Sequence, residues 1–165
     1  MLRSRLLALA LPLLLGACGF HLRGLGDSTP LAFRSLHLAA SDQGVGGVLR
    51  QQLKLRADLT LQPTADQADA VLTIHDETVD KQVLSVNSAG RVSEYQLTYR
   101  ARFVLRIGGR DAIAPTWISL RRDYAFDENN VLGKEAEEQL LIRDMRSDAA
   151  QQILRRLAAV KPPVS

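Results

Sequence analysis

Tyr95-Gln96-Leu97-Thr98-Tyr99-Arg100-Ala101-Arg102-Phe103-Val104-Leu105-Arg106-Ile107 alternates almost without a break between apolar and polar side chains. Successive side chains of a strand point to opposite faces. Tyr95, Leu97, Tyr99, Ala101, Phe103, Leu105 and Ile107 therefore share one face, and Glu94, Gln96, Thr98, Arg100, Arg102 and Arg106 share the other, with Val104 the exception. Period two with one wet face belongs to an antiparallel sheet covered on one side.

The flanking segments extend this reading. Asn87-Ser88-Ala89-Gly90 is a turn signal between extended runs and predicts a hairpin joining residues 70–86 to the strand. Residues 70–86 read as one long strand, or as two broken at Asp80-Lys81. Gly108-Gly109-Arg110-Asp111 makes the next turn, and residues 117–126 form another strand with Ile118, Leu120, Tyr124 and Phe126 aligned. Upstream, Phe33, Leu36 and Leu38 mark a short strand in residues 33–39. Val45, Val48, Leu49 and Leu53 then recur at helical spacing in residues 43–56, with Ser41 or Asp42 as the cap. Gly44, Gly46 and Gly47 weaken the first turn of that helix.

Downstream, Asn129 or Asn130 caps a helix over residues 132–160. Its apolar stripe is Ala136, Leu140, Leu141, Met145, Ala149, Ile153, Leu157 and Val160, and Pro162-Pro163 stops it. The order strand, helix, strands, helix predicts an α+β sandwich, two helices on one face of a mostly antiparallel sheet. The apolar face of residues 95–107 meets the helices. Arg100, Arg102 and Arg106 look outward or into a partner.

The start of the chain carries a different message. Arg3 and Arg5 precede an apolar run over residues 6–17 that ends Leu15-Gly16-Ala17 before Cys18. A basic start, a short apolar stretch and small residues at the cut match a secretory signal peptide. A Cys directly after Leu-Gly-Ala matches the bacterial lipobox, in which the thiol receives a diacylglycerol and the peptide is cut before it. The apolar run is far short of the roughly 20 residues of a spanning helix. The expected organisation is a cleaved signal peptide (1–17), a lipidated tether (18–32) with a short strand near residues 20–23, one α+β domain (33–161) and a short tail (162–165). Several acyl chains anchor stably, each buried methylene adding about 0.8 kcal/mol. Gly19 after the Cys, in place of Asp, favours the outer membrane.

Residues 18–165 suit one domain with a single core. Cys18 is the only cysteine, which excludes a disulfide within the chain. The formal charge of +3 comes from 21 basic and 18 acidic residues. Without Arg3 and Arg5, 19 basic residues face 18 acidic ones, a balance of +1. The mature chain is nearly neutral and few aromatics interleave with its cations, which argues against nucleic acid as a partner.

Residues for chemistry are sparse. His21, His37 and His75 are far apart, and no His-Glu-x-x-His or Walker-type phosphate loop occurs. Gly44-Val45-Gly46-Gly47 lacks the Lys-Ser/Thr ending of such a loop and reads as a flexible helix entry. Asp123, Asp127 and Glu128 read as acidic loop ends, and His75-Asp76-Glu77 alternate faces and cannot converge on a metal. The chain reads as a non-enzyme with no metal or cofactor. Arg100 and Arg102 project from one strand face, Arg91 follows the hairpin turn and Lys134 opens the last helix. These cations fit either a solvated sheet face or an anion site, since Arg holds phosphate through two parallel hydrogen bonds and Lys as a point charge.

Several segments together resemble a known family. Cys18-Gly19-Phe20-His21-Leu22-Arg23 resembles the Cys-Gly-(Phe/Trp)-His-Leu-Arg start of the LptE lipopolysaccharide-assembly lipoproteins. Glu94-Tyr95-Gln96, Gly109-Arg110-Asp111 and residues 132–157, with Lys134, Glu138, Asp144-Met145, Ala149-Ala150, Gln152 and Arg156-Leu157, follow in matching order. The resemblance implies a sandwich of two helices and four strands. It implies an outer-membrane lipoprotein, anchored by lipid on the periplasmic side, that plugs the lumen of the LptD β-barrel, helps it fold and binds lipopolysaccharide without turnover. It also implies a basic lipopolysaccharide site, meeting lipid A phosphates, at the hairpin loop and the start of the last helix. Lys134 matches the family's lysine there. Relatives carry a basic residue before the hairpin turn where this chain has Ser88, and Arg91 stands three places later. Arg91 and Lys134, with Arg100 and Arg102, are the candidate ligand-binding residues, and Cys18 the lipidation site. The alternative from the residues alone is a lipoprotein adaptor that activates a cell-wall or other envelope enzyme.

Overall fold

The computed structural model describes residues 30–161. The signal peptide, Cys18, the strand near residues 20–23 and the 162–165 tail lie outside the described residues. The chain forms β1 (Ser35–Ala39), α1 (Gly44–Lys54), β2 (Thr60–Leu61), β3 (Ala70–Val86), β4 (Val92–Ile107), β5 (Arg110–Ala125) and α2 (Val131–Ala158).

The sheet corrects two expectations. It has five strands, ordered β2-β1-β3-β4-β5, where four were expected. It is mixed, because β1 runs parallel to both β2 and β3, while β3, β4 and β5 pair antiparallel. The extra strand, Thr60–Leu61, is two residues long and has no alternation to read. The parallel pairing of β1 with β2 follows from α1. A helix between two strands of one sheet carries the chain back to the end where it began.

The outcome for β4 matches the expectation. Leu97, Tyr99, Ala101, Phe103 and Leu105 are fully buried. They join Leu36, Leu38, Leu72, Val45, Leu49 and Leu53, and Met145, Ala149, Ile153 and Leu157 of α2, in one hydrophobic cluster. Both helices thus cover the same face. Each fully buried Leu, Ile or Met contributes about 1.5–3 kcal/mol relative to exposure.

Strand β3 is unbroken at Asp80-Lys81. Its irregularity lies earlier, where the register with β4 shifts between Ile74 and Asp76. His75 is the additional residue of this bulge, and one additional residue reverses which parity faces inward. Before it, Ala70 and Leu72 are buried. Beyond it, Glu77, Val79 and Lys81 pair with the inward-facing Ala101, Tyr99 and Leu97. Strand β5 begins at Arg110, earlier than expected, because the register shift between Phe103 and Leu105 accommodates Pro115. Proline is tolerated in an edge strand or at a bulge, and here it has both.

Helix starts also differ from expectation. Neither Ser41 nor Asp42 caps α1. Gln43 precedes it without a side-chain cap, and Asp42 pairs instead with Arg50 at 2.7 Å. The cap comes from β3, where Glu77 Oε2 accepts from the Val45 N–H at 3.0 Å. Helix α2 starts at Val131 after a short 3₁₀ turn, Glu128–Asn130. Asn130 makes no capping bond, and Asp127 accepts from the Asn129 N–H at 2.9 Å. The expected stripe holds from Met145 onward. Toward the N-terminus Leu140 is exposed, and Ile142 is buried instead.

Candidate functional site

The β3–β4 turn and the start of α2 share one end of the sandwich. The turn is built by Asn87, whose Oδ1 accepts from the N–H groups of Ala89 and Arg91, both at 3.0 Å. Gly90 adopts φ +75°, the left-handed backbone such a turn needs. Arg91 leaves the turn exposed, and its Nη1 donates to Glu128 Oε2 at 3.2 Å. Glu128 belongs to the 3₁₀ turn that leads into α2, so this bond ties hairpin to helix. Asn87, Arg91, Ser93, Asp127 and Asn129 line a small polar cavity of about 200 Å³ between them. Lys134, in the first turn of α2, donates to Glu137 Oε2 at 2.8 Å.

Behind these cations stands a denser cluster. Lys81 Nζ and the Tyr124 hydroxyl both donate to Glu138 Oε2, each at 2.6 Å. The Lys81 ammonium lies 4.2 Å from the Tyr95 ring centroid, and Tyr95 packs against Tyr124 and Phe126. Burial alone pulls Lys81 down, but its hydrogen bonds to Glu138 and Tyr124 outweigh that and raise its pKa. Burial pushes Glu138 up, and the bonds from Lys81 and Tyr124 bring it below its ordinary value. Burial, then the bond to Glu138, raises the Tyr124 phenol. Val83, Leu84 and Val86 near the hairpin tip and Val131 and Leu132 at the helix start are large apolar side chains left exposed. This end thus sets paired charges beside exposed apolar surface.

The other candidate residues do not join it. Arg100 and Arg102 stand in the middle of β4 on the face away from the helices. Arg102 pairs with Asp76 at 2.6 Å and lies 5.5 Å from the ring of Trp117. Arg100 is exposed and has no ion pair among the described residues. The same sheet face carries further polar pairs toward the hairpin. Gln96 donates to Asp123 at 3.0 Å, and the Ser85 hydroxyl donates to Glu94 at 2.8 Å. The structure therefore separates the four cations into a pair, Arg91 and Lys134, at one end and a pair on the outer sheet face.

The reading of residue types missed the cluster of Lys81, Tyr124 and Glu138, whose members come from β3, β5 and α2. The displaced parity beyond His75 concealed that Lys81 faces inward. Among the described residues no group of His, Cys, Asp and Glu could hold a metal ion, and no helix is long and apolar enough to cross a membrane.

Comparison with known proteins decides the family. The model of the LptE family, described as lipopolysaccharide-assembly, matches residues 33–157. The chain belongs to the LptE family. A protein named LPS-assembly lipoprotein LptE from Yersinia enterocolitica is 32% identical, over 96% of this chain and 78% of its own. Its namesake from Pectobacterium atrosepticum is 29% identical, over 96% of this chain and 88% of its own. Among solved structures, lipoprotein B from Nitrosomonas europaea aligns with a TM-score of 0.71 at 31% identity, covering 86% of this chain and 91% of that one. Rare lipoprotein B from Shewanella oneidensis aligns with a TM-score of 0.68 at 30% identity, covering 76% and 95%. The family match thus spans residues 33–157, and the likeness in fold covers most of the chain.

Proposed function

We propose that this protein is a non-catalytic outer-membrane lipoprotein, acylated at Cys18, that works inside an LptD-type β-barrel in lipopolysaccharide assembly. The observation that carries this reading, beside family membership, is the outer face of the β3–β5 sheet. A plug in a polar barrel lumen needs a wet surface rich in hydrogen-bonding groups. Gln96, Arg100, Arg102, Ser119, Arg121 and Asp123 present that surface in adjacent register across β4 and β5.

Arg91 and Lys134 are the proposed contacts for lipid A phosphates. Arg91 and Glu128 form an exposed ion pair, worth about 0–1 kcal/mol, and Lys134 and Glu137 form a half-buried one. A phosphate offering two parallel hydrogen bonds displaces such partners readily. Lys134 also sits where the helix dipole disfavours a cation by about 0.3–1 kcal/mol, so an incoming anion relieves that repulsion. The adjacent Val83, Leu84, Val86 and Leu132 suit the acyl chains of the same ligand. Titration of immobilised lipopolysaccharide with the Arg91→Ala/Lys134→Ala variant tests the site. Affinity is expected to fall about tenfold, the worth of one charge-assisted contact. Unchanged affinity would remove these residues from the account.

A further inference from the structure

The opposite end of the sandwich holds a second amphipathic feature. Strand β4 has 16 residues, so its two ends lie about 50 Å apart. At the end away from Arg91, the β4–β5 turn and the last turn of α2 enclose a groove of about 610 Å³. Ile113, Ala159 and Val160 give it an apolar floor, and Arg110, Arg156 and Lys161 stand along its walls. None of these three cations has an ion pair among the described residues. The groove's one acid, Asp111, is already engaged by Arg106 at 2.8 Å. Arg156 lies 5.8 Å from the Phe103 ring, and its Nη1 is buried without a hydrogen-bond partner. The groove thus joins unneutralised positive charge to apolar surface, within the volume range of small-molecule sites.

The chain enters the domain at this same end. The N–H groups of Arg34 and Ser35 donate to Asp69 Oδ2, at 3.3 and 3.0 Å, just before β3. The Asp69 backbone carbonyl accepts from the Gly108 N–H in the β4–β5 turn, at 3.4 Å. Cys18 lies 12 positions before Pro30. That length spans at most about 40 Å even when fully extended.

We infer that this groove binds an anionic membrane phospholipid, with one acyl chain on Ile113, Ala159 and Val160 and the phosphate held by Arg110, Arg156 and Lys161. Its placement beside the bilayer rests on the acylation of Cys18 proposed above. The recognition itself rests on the groove, because a zwitterionic lipid brings its own ammonium beside the phosphate and gains far less from three unneutralised cations, and a free phosphate gains nothing from the floor. The site is separate from that of Arg91 and Lys134, so the protein touches lipid at both ends of its sheet.

The test uses the full mature chain in bilayer nanodiscs containing phosphatidylglycerol with a diazirine in one acyl chain, followed by mapping of the labelled peptides. Label is expected on the segments around Ile113 and Ala159. It should fall about tenfold in Arg110→Gln/Lys161→Gln, which removes two exposed charges, and in Ala159→Trp, which fills the groove from an exposed position. Melting temperature verifies the fold of each variant. Equal labelling by a phosphatidylcholine probe, label elsewhere only, or label indifferent to both variants would overturn the inference. Full displacement of the label by inorganic phosphate would assign the site to a free anion and overturn it equally. The intact mass of the same preparation reports acylation of Cys18 separately, so loss of the anchor and loss of the groove are distinguishable.

Discussion

Glu77 is the residue on which most of the local architecture converges. Its carboxylate caps α1 through the Val45 N–H and accepts from Arg146 Nε of α2 at 3.0 Å. It thereby joins β3 to both helices. Buried Tyr99 is raised in pKa first by burial and then by the Glu77 charge. Gly44, at φ +68°, sits where a Cβ would meet the Glu77 carboxylate. Gly44→Ala therefore combines left-handed strain with displacement of the cap, and is expected to cost about 1–3 kcal/mol. Gly90→Ala has the same strain in open space and should cost less. Urea unfolding of the two variants checks the difference, and equal losses would remove the contact with Glu77 from the explanation. No pattern of residue types announced Glu77. Its role depends on the parity reversal at His75, and a bulge leaves no reliable mark in composition.

At the scale of elements, legibility followed regularity. Strand β4 was readable because its alternation is broken only at Val104 and its inner face is fully buried from Leu97 to Leu105. The two hairpins were readable because Asn87 and Gly90, and Gly108 and Gly109, supply turn chemistry that few other residues offer. β2 was too short to read. The parallel pairing was implied by the strand–helix–strand order, but the strong antiparallel signal of β4 overshadowed it. The α2 stripe was legible where the helix lies on the core, from Met145 to Leu157. It was misread toward the start, where Lys81 and Tyr124 hold Glu138 by hydrogen bonds in place of apolar packing.

That attachment has a pH signature. Glu138 is lowered on folding, so its contribution is complete above the ordinary value of 4.5 and is lost as pH falls through its lower folded value. Lys81 is raised on folding, so its contribution is complete below 10.5 and is lost as pH rises through its higher folded value. The stability gap between wild type and Lys81→Met should be widest between those limits and narrow on acidification below them. Thermal melts across pH would show this, and a gap independent of pH would contradict the ionic account of how the helix start is held.

For the molecule as a whole, the structure divides into a covered face and an open one. The helices take one side of the sheet, and the other stays polar and half-exposed, with Arg102 between Asp76 and the exposed Trp117. Exposed pairs of this kind add little stability, so they are free to exchange with groups on another protein. The long edge strand β5 is interrupted at Pro115 and carries Arg110, Asp111, Arg121, Arg122 and Asp123, features that discourage uncontrolled strand pairing. This part of the function was legible as a wet face in the alternation of residues 94–106, but its occupant came only from the family.

The central claim is that this open face lies against the wall of a large β-barrel, and a photo-crosslinking amino acid placed there in living cells tests it most directly. Substituted for Arg100, the crosslinker is expected to trap a very large outer-membrane β-barrel protein in good yield. A crosslinker at Arg100 that traps a soluble envelope enzyme, or nothing while the barrel is abundant, would contradict the account.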